Sequence, residues 1–316
     1  MEGLYTTYII LVGGAILFLI ISNNRNYINR HNLRKEYTSK LISICFSDNY
    51  TSEQFPHARR AQHRDILSQT IHNILSHTYG CDSKALQQTI MCSHLNEHLL
   101  KRLFSATTFN KYITLSQLTS TINATTDTSA LQELLHSHDH NLRIGALMAL
   151  LAAKPSGSMQ ILSSIDFNLQ PIDIQRIIAL IRRGKISVVL EPLFENNNRN
   201  LKLLGMALVR SFGICIVDKH LYQIINEDKD PILIFDAIYT LTHLKRPLKP
   251  TLIKGGIATM SEQQRKRLCR HLSVEGYSIQ SINAILSPPE SLYAKRLITS
   301  YKRLLQPPYN DQHAFH

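Results

Sequence analysis

Apolar residues along this chain recur at intervals of three and four, and few runs alternate, which is the pattern of helices rather than strands. Leu131 to Ala153 shows it best. Its spacing predicts two helices, the first presenting Leu131, Leu134 and Leu135, the second placing Leu142, Ala146, Ala149, Leu150 and Ala153 on one face. Ile144, Leu147 and Leu151 make a further apolar stripe beside that face. A helix apolar on two sides has to be covered twice, by its own partner and by the next pair. Stacked helical repeats meet that need, and Gly145, Ala146 and Ala149 are small enough to let a neighbouring helix come close.

The same periodicity places helices on either side. His57 to His77 carries Ile66, Leu67, Ile71, Ile74 and Leu75, and the next stretch carries Leu86, Ile90, Leu95, Leu99, Leu103 and Phe104. Residues 51–125 show no repeating signature and are expected to cap the first apolar face of the stack. Leu4 to Ile21 is different: LYTTYIILVGGAILFLII holds no charge. A bilayer needs about 20 mainly apolar residues, with about 17 as the lower limit, so residues 1–24 are predicted to be a transmembrane anchor through positions 4–21. A cleaved secretory signal would carry a basic leader and a small-residue cleavage site, and only Glu2 is charged before the run. Arg25, Arg30, Arg34, Lys35 and Lys40 follow it. That asymmetry predicts a single-pass membrane protein, with the N-terminus outside and the body cytoplasmic. Residues 25–50 then form a basic juxtamembrane helix, lying on anionic headgroups or standing as a solvated stalk.

The string DHNLRIGALMAL, from Asp139, resembles the second helix of a HEAT repeat, with a turn Asp139, then Arg143, then Ala146 and Ala149. NRNLKLLGMALV lays onto it with Asn198, Lys202 and Gly205, and DPILIFDAIYTL with Asp230, Ile234 and Ala237. A weaker copy, IDIQRIIALI, keeps Arg176 and Ala179 but has Ile172 where the turn Asp should stand. The small-residue column at 146, 179, 205 and 237 has a spacing proper to helical-pair repeats. The resemblance covers about residues 131–244 and implies an all-α fold, a HEAT-like α-solenoid over residues 126–245. Family likeness at this level speaks to architecture more than to function.

Charge changes the picture at the C-terminal side. The chain of 316 residues has a formal charge of +12, and between residues 245 and 303 twelve cations face three anions. Residues 246–306 read as basic helices before a tail, 307–316. Lys245, Arg246, Arg265, Lys266, Arg267 and Arg270 are the predicted binding patch. Such a surface suits an acidic protein, an anionic lipid or, less well for a tethered chain showing no RNA-binding aromatic motif, a nucleic acid. Cys45, Cys81, Cys92, Cys215 and Cys269 are scattered and form no CxxC pair, so they predict neither a disulfide framework nor a zinc knuckle.

Catalytic signatures are scarce. His136, His138 and His140 flank Asp139, and His94 precedes His98 by four, but the first group sits at a predicted turn and Glu97 does not complete HExxH. No metal ligand set and no cofactor are therefore assigned. The HEAT-like di-iron hydroxylases carry His-Glu dipeptides; none occurs here, nor does a P-loop, GxGxxG or GxSxG. The expected function is a membrane-anchored scaffold or adaptor that recruits a protein partner. The competing reading is an enzyme or nucleic-acid processor with a site on a concave basic face.

Overall fold

The computed structural model describes residues 2–46, 55–78, 83–214, 217–246, 248, 250–275, 277, 279–286 and 292–299; for 2–22, 83, 250, 252 and 279 it describes the backbone alone. These residues are overwhelmingly helical and contain no strand. The elements are α1 (Glu2–Cys45), α2 (Ala61–His77), α3 (Ser83–Cys92), α4 (Leu95–Ser105), α5 (Thr108–Thr121), α6 (Ser129–Leu135), α7 (His140–Ala153), α8 (Ser158–Ser164), α9 (Pro171–Arg182), α10 (Glu191–Glu195), α11 (Arg199–Phe212), α12 (Asp218–Glu227), α13 (Pro231–His243), α14 (Pro250–Ala258), α15 (Glu262–Val274) and α16 (Ile279–Ile285). The chain forms two compact units, one of residues 1–161 with 180–187, the other of 162–179 with 188–316.

The expected transmembrane helix requires correction. Its residues fall in the first half of α1, and their side chains lie outside the described residues. No helix among the described residues is long and apolar enough to cross a membrane. The helix continues unbroken through Arg25, Arg30, Arg34, Lys35, Glu36 and Lys40. One face of its C-terminal end is covered by protein. Tyr37, Leu41 and Cys45 pack with Ile66, Leu67, Ile71 and Ile74 of α2, Leu86 and Ile90 of α3 and Leu95 of α4. Leu41, Leu67 and Ile71 are fully buried, each contributing about 1.5–3 kcal/mol of apolar burial. Tyr37, Leu41, Ile44 and Cys45 of the stretch 25–50 therefore belong to the core of the first unit, while Arg25, Arg30, Arg34 and Lys35 before them are exposed. The supported architecture is an all-α chain without an assigned membrane span, and the expected tail, 307–316, lies outside the described residues.

From α6 onward short and long helices alternate along the chain: α6 packs on α7, α10 on α11 and α12 on α13, and the starts of α7, α9, α11, α13 and α15 explain the register. Asp139 caps α7 by accepting from the N–H groups of Asn141 and Leu142, Asn198 caps α11 through Asn200 N–H, and Asp230 caps α13 through Ile232 N–H. Ser261 closes a reciprocal capping box with Gln264 at the head of α15. Each such cap contributes about 1 kcal/mol by satisfying donors that the helix cannot. At α9 the roles invert: Asp173 reaches back to the N–H of Gln170, 2.9 Å away, and Gln170 stands in the cap position. The starts are thus 139, 170, 198, 230 and 261, between 28 and 32 residues apart.

Seven and eight residues beyond each start the helix is buried every time: Ala146 and Leu147, Ile177 and Ile178, Gly205 and Met206, Ala237 and Ile238, Leu268 and Cys269. Ala179 does not belong to this column. It is exposed, because Pro171 fixes the first helical position of α9 one residue after Gln170 and shifts the weak copy two residues from the register that its alanine suggested. The small residues are used where helices meet closely. A Cβ added at Gly145 would lie 2.9 Å from Leu115 Cδ1, at Gly205 3.1 Å from Phe194 Cζ, and at Gly256 2.7 Å from Ile234 Cγ2.

Candidate interaction surface and a polar cleft

Much of the chain's charge is committed to holding helices together. In the second unit Arg199 pairs with Asp230 at 2.7 Å, Lys202 with Asp228 at 2.8 Å and Arg210 with Asp236 at 3.0 Å, each link joining α11 to α13 or to the turn before it. Arg210 also lies over the Tyr239 ring, 5.2 Å from its centroid. Asp236 is deep enough that burial raises its carboxyl pKa despite the Arg210 guanidinium. Tyr239 in turn stacks at 3.8 Å against His271 of α15, a ring whose side chain is only 9% exposed. Burial lowers the His271 pKa; the nearby Glu275 carboxylate opposes that shift. Asn200 is one of the polar side chains buried in this unit: its Oδ1 accepts from Leu169 N–H at 2.9 Å and its Nδ2 donates to the Phe167 carbonyl at 2.8 Å.

The first unit shows the same economy. Asp65 accepts from both His98 and Arg102 at 2.8 Å, tying α2 to α4. Tyr112 donates to Asp139, a bond that raises the phenol pKa and lowers that of the carboxyl. His72 meets Ser120 Oγ at 2.8 Å through Nδ1 and Ser116 Oγ at 3.3 Å through Nε2. Serine beside histidine is a nucleophile–base combination in principle. Here both ring nitrogens are taken by hydroxyls one turn apart on α5, and among the described residues no carboxylate contacts the ring to orient it. Burial, then the charges of Arg183 and His77, lower the His72 pKa. The contact reads as a tie between α2 and α5, alongside Ser68–Gln117 at 3.3 Å.

The predicted site residues are not brought together as one patch. Arg246 contacts Asp218 at 2.6 Å across α12, and Arg265 donates to the Met260 carbonyl at 2.6 Å, finishing α14. Lys266 is exposed but pairs with Glu262, 2.7 Å away on its own helix. Lys245 occupies the turn after α13 with φ of 54°. Arg267 and Arg270 are exposed and make no ion pair among the described residues. Of the repeat signature, Asp139 and Asp230 are caps, Ala146, Gly205 and Ala237 are core, Lys202 is ion-paired, Arg143 is half-buried and Arg176 stands exposed, 3.9 Å from Asp173.

One cleft of about 670 Å³ lies between the α10–α11 turn and α12. Phe194 stacks on His220 with centroids 5.5 Å apart at its apolar wall. The Lys202–Asp228 pair closes another side, and Gln223 donates to Glu227 at 2.9 Å. Burial alone would raise the Asp228 pKa, but Lys202 and the N–H groups of Asp230 and Lys229 outweigh it and hold the carboxyl below its ordinary range. Exposed Lys219 and Lys229 complete the rim. The lining offers no hydroxyl or thiol nucleophile. Nothing in the sequence singled this cleft out, because its walls come from three elements whose residues look like ordinary solvated positions. Among the described residues no group of three or more His, Cys, Asp or Glu is arranged to hold a metal ion; His136 ends α6 and His94 turns the chain between α3 and α4. Compared with known proteins, the chain matches no family model, no curated protein and no solved structure.

Proposed function

We propose that this chain is a HEAT-like helical-repeat scaffold that captures a protein partner and performs no chemistry of its own. The observation that carries this reading is the register of α7, α9, α11, α13 and α15, whose starts at 139, 170, 198, 230 and 261 set the same two buried positions in each. A chain built by repetition presents side chains in a regular array along its surface, which serves binding. The polar groups support the same view: ion pairs, caps and the serine–histidine contact join helices instead of converging on a point where a bond could be made. Affinity capture with the full chain tests the proposal, followed by mixing the purified chain with each captured protein. At least one should re-form a complex of fixed stoichiometry that survives gel filtration. Failure of every captured protein to do so overturns the reading.

A further inference from the structure

α15 is amphipathic in an unusual direction. Leu268, Cys269 and Leu272 are fully buried on one side. At 100° per residue, Gln263, Arg267, Arg270 and Val274 fall within a narrow stripe on the opposite side, at spacings of four, three and four. All four are exposed, Val274 at 59%. The flanking helix, residues 292–299, packs onto α15, where Ser273 Oγ donates to the Ala294 carbonyl at 3.3 Å. It leaves Leu292 52% and Tyr293 44% exposed. Lys295 is exposed on the same helix. Of the carboxylates on α15 and just after it, Glu262 is matched by Lys266, and Glu275 lies against His243 and His271.

We infer that this ridge is the docking face of the scaffold, and that its occupant is an acidic segment of a partner protein. Two arginines at i and i+3 that pair with no carboxylate among the described residues suit two carboxylates on a partner, and the guanidinium binds a carboxylate in bidentate fashion. Arginine and tyrosine are enriched at interface centres, and the exposed Leu292 and Val274 beside them add apolar contact area. The stripe's three–four spacing fits a helical segment laid along α15. This inference rests on the scaffold reading and narrows the predicted patch to Arg267 and Arg270, with the apolar flank supplying contact area.

The test uses the full chain and two fluorescein-labelled synthetic peptides of matched helical sequence, one with glutamates at i and i+4 beside leucines, the other with glutamine at those positions; an oligouridylate RNA serves as the nucleic-acid comparison. Anisotropy titration should show the glutamate peptide binding more tightly than either. Arg267→Glu with Arg270→Glu should weaken it by at least about tenfold, since like charges then face each other, and a lysine version of the peptide should bind the double variant better than the wild type. That reversal cannot be produced by misfolding. Equal affinity of wild type and double variant for the glutamate peptide overturns the inference, as does tighter binding of the RNA that the double variant abolishes. If the captured partner still binds the double variant unchanged, the ridge is rejected while the scaffold reading stands; if no protein re-forms a complex with the wild type, the scaffold reading itself fails.

Discussion

Asn200 offers the sharpest test of how the second unit is held together. It is 5% exposed and surrounded in sequence by Leu201, Leu203 and Leu204, yet its amide clamps the chain before α9 by bonding both Leu169 N–H and the Phe167 carbonyl. Asn200→Leu keeps the side-chain volume and creates no large cavity, but it orphans one buried donor and one acceptor. Each unsatisfied group costs about 1–3 kcal/mol, so the variant should lose about 2–6 kcal/mol. Asn198→Ala, two residues earlier, removes the cap of α11 and an exposed 3.4 Å bond to the Ser163 carbonyl and should cost about 1 kcal/mol. The chain has no tryptophan, so urea unfolding is best followed by circular dichroism, with exchange of the Leu169 amide as a local probe. The leucine variant should unfold at clearly lower urea than the alanine variant and should expose the Leu169 amide. If Asn200→Leu costs no more than Asn198→Ala, or the amide stays protected, the clamp is not holding that segment.

Adjacent glycines should respond in opposite ways: a Cβ at Gly255 meets open space, whereas one at Gly256 lies 2.7 Å from the stiff Ile234 side chain. Gly255→Ala is expected to stabilise by about 0.5–1 kcal/mol and Gly256→Ala to destabilise by about 1–3 kcal/mol, with equal melting shifts in both refuting the packing of α14. Burial, with Glu275 and Tyr222 adding to it, pushes the Tyr277 hydroxyl up to about 12, and that group donates to the Thr242 and Arg246 carbonyls. A folded-state value above the ordinary 10 gives stability that is complete below pH 10 and is lost as pH rises toward 12. Tyr277→Phe should flatten that alkaline loss in a series of urea midpoints, although raised Tyr37, Tyr112 and Tyr222 keep part of it. His271 and His72 are lowered, chiefly by burial, so their contribution is complete above about pH 6.5 and is lost as pH falls through their folded values. His271→Phe preserves a ring against Tyr239 and should lessen the acid loss; an unchanged slope would show that this ring does not titrate with unfolding.

How much of this was legible in the sequence depended on whether a feature was local. Asp230 before Pro231, Ser261 before Gln264, and the paired stripes of α7 announce themselves within a few residues, because a cap or a buried face is set by neighbours one turn away. The register of α9 was misread for an informative reason. Ala179 looks like the small residue of the repeat, but Ile177 takes the buried place, and only the position of Pro171 could have shown that the helix begins earlier. Asn200 was invisible as a clamp since its partners, Phe167 and Leu169, lie more than 30 residues away. The uncharged run at 4–21 satisfied a rule about length, whereas the role of residues 33–45 depended on what covers them: Tyr37 and Leu41 find α2 and α3, a fact that hydropathy does not carry.

The basic patch shows why formal charge is a poor map of a binding surface. Six cations were close in sequence and were taken together, but each position on a helix points in its own direction and meets its own neighbour. Arg246 and Arg265 are drawn inward by Asp218 and the Met260 carbonyl, where removing a partner would leave a half-buried charge uncompensated. Lys266 is balanced by Glu262, an exposed pair worth little to stability but enough to cancel the local field. What is left for a partner is fixed by geometry: Arg267 and Arg270 lie opposite Leu268, Cys269 and Leu272, so the same burial that anchors α15 aims these two guanidinium groups at solvent. Reversing them should therefore change binding and leave the unfolding midpoint within about 0.5 kcal/mol of the wild type. A large loss of stability in that double variant would mean that the ridge is packed rather than presented, and would remove the argument for docking there.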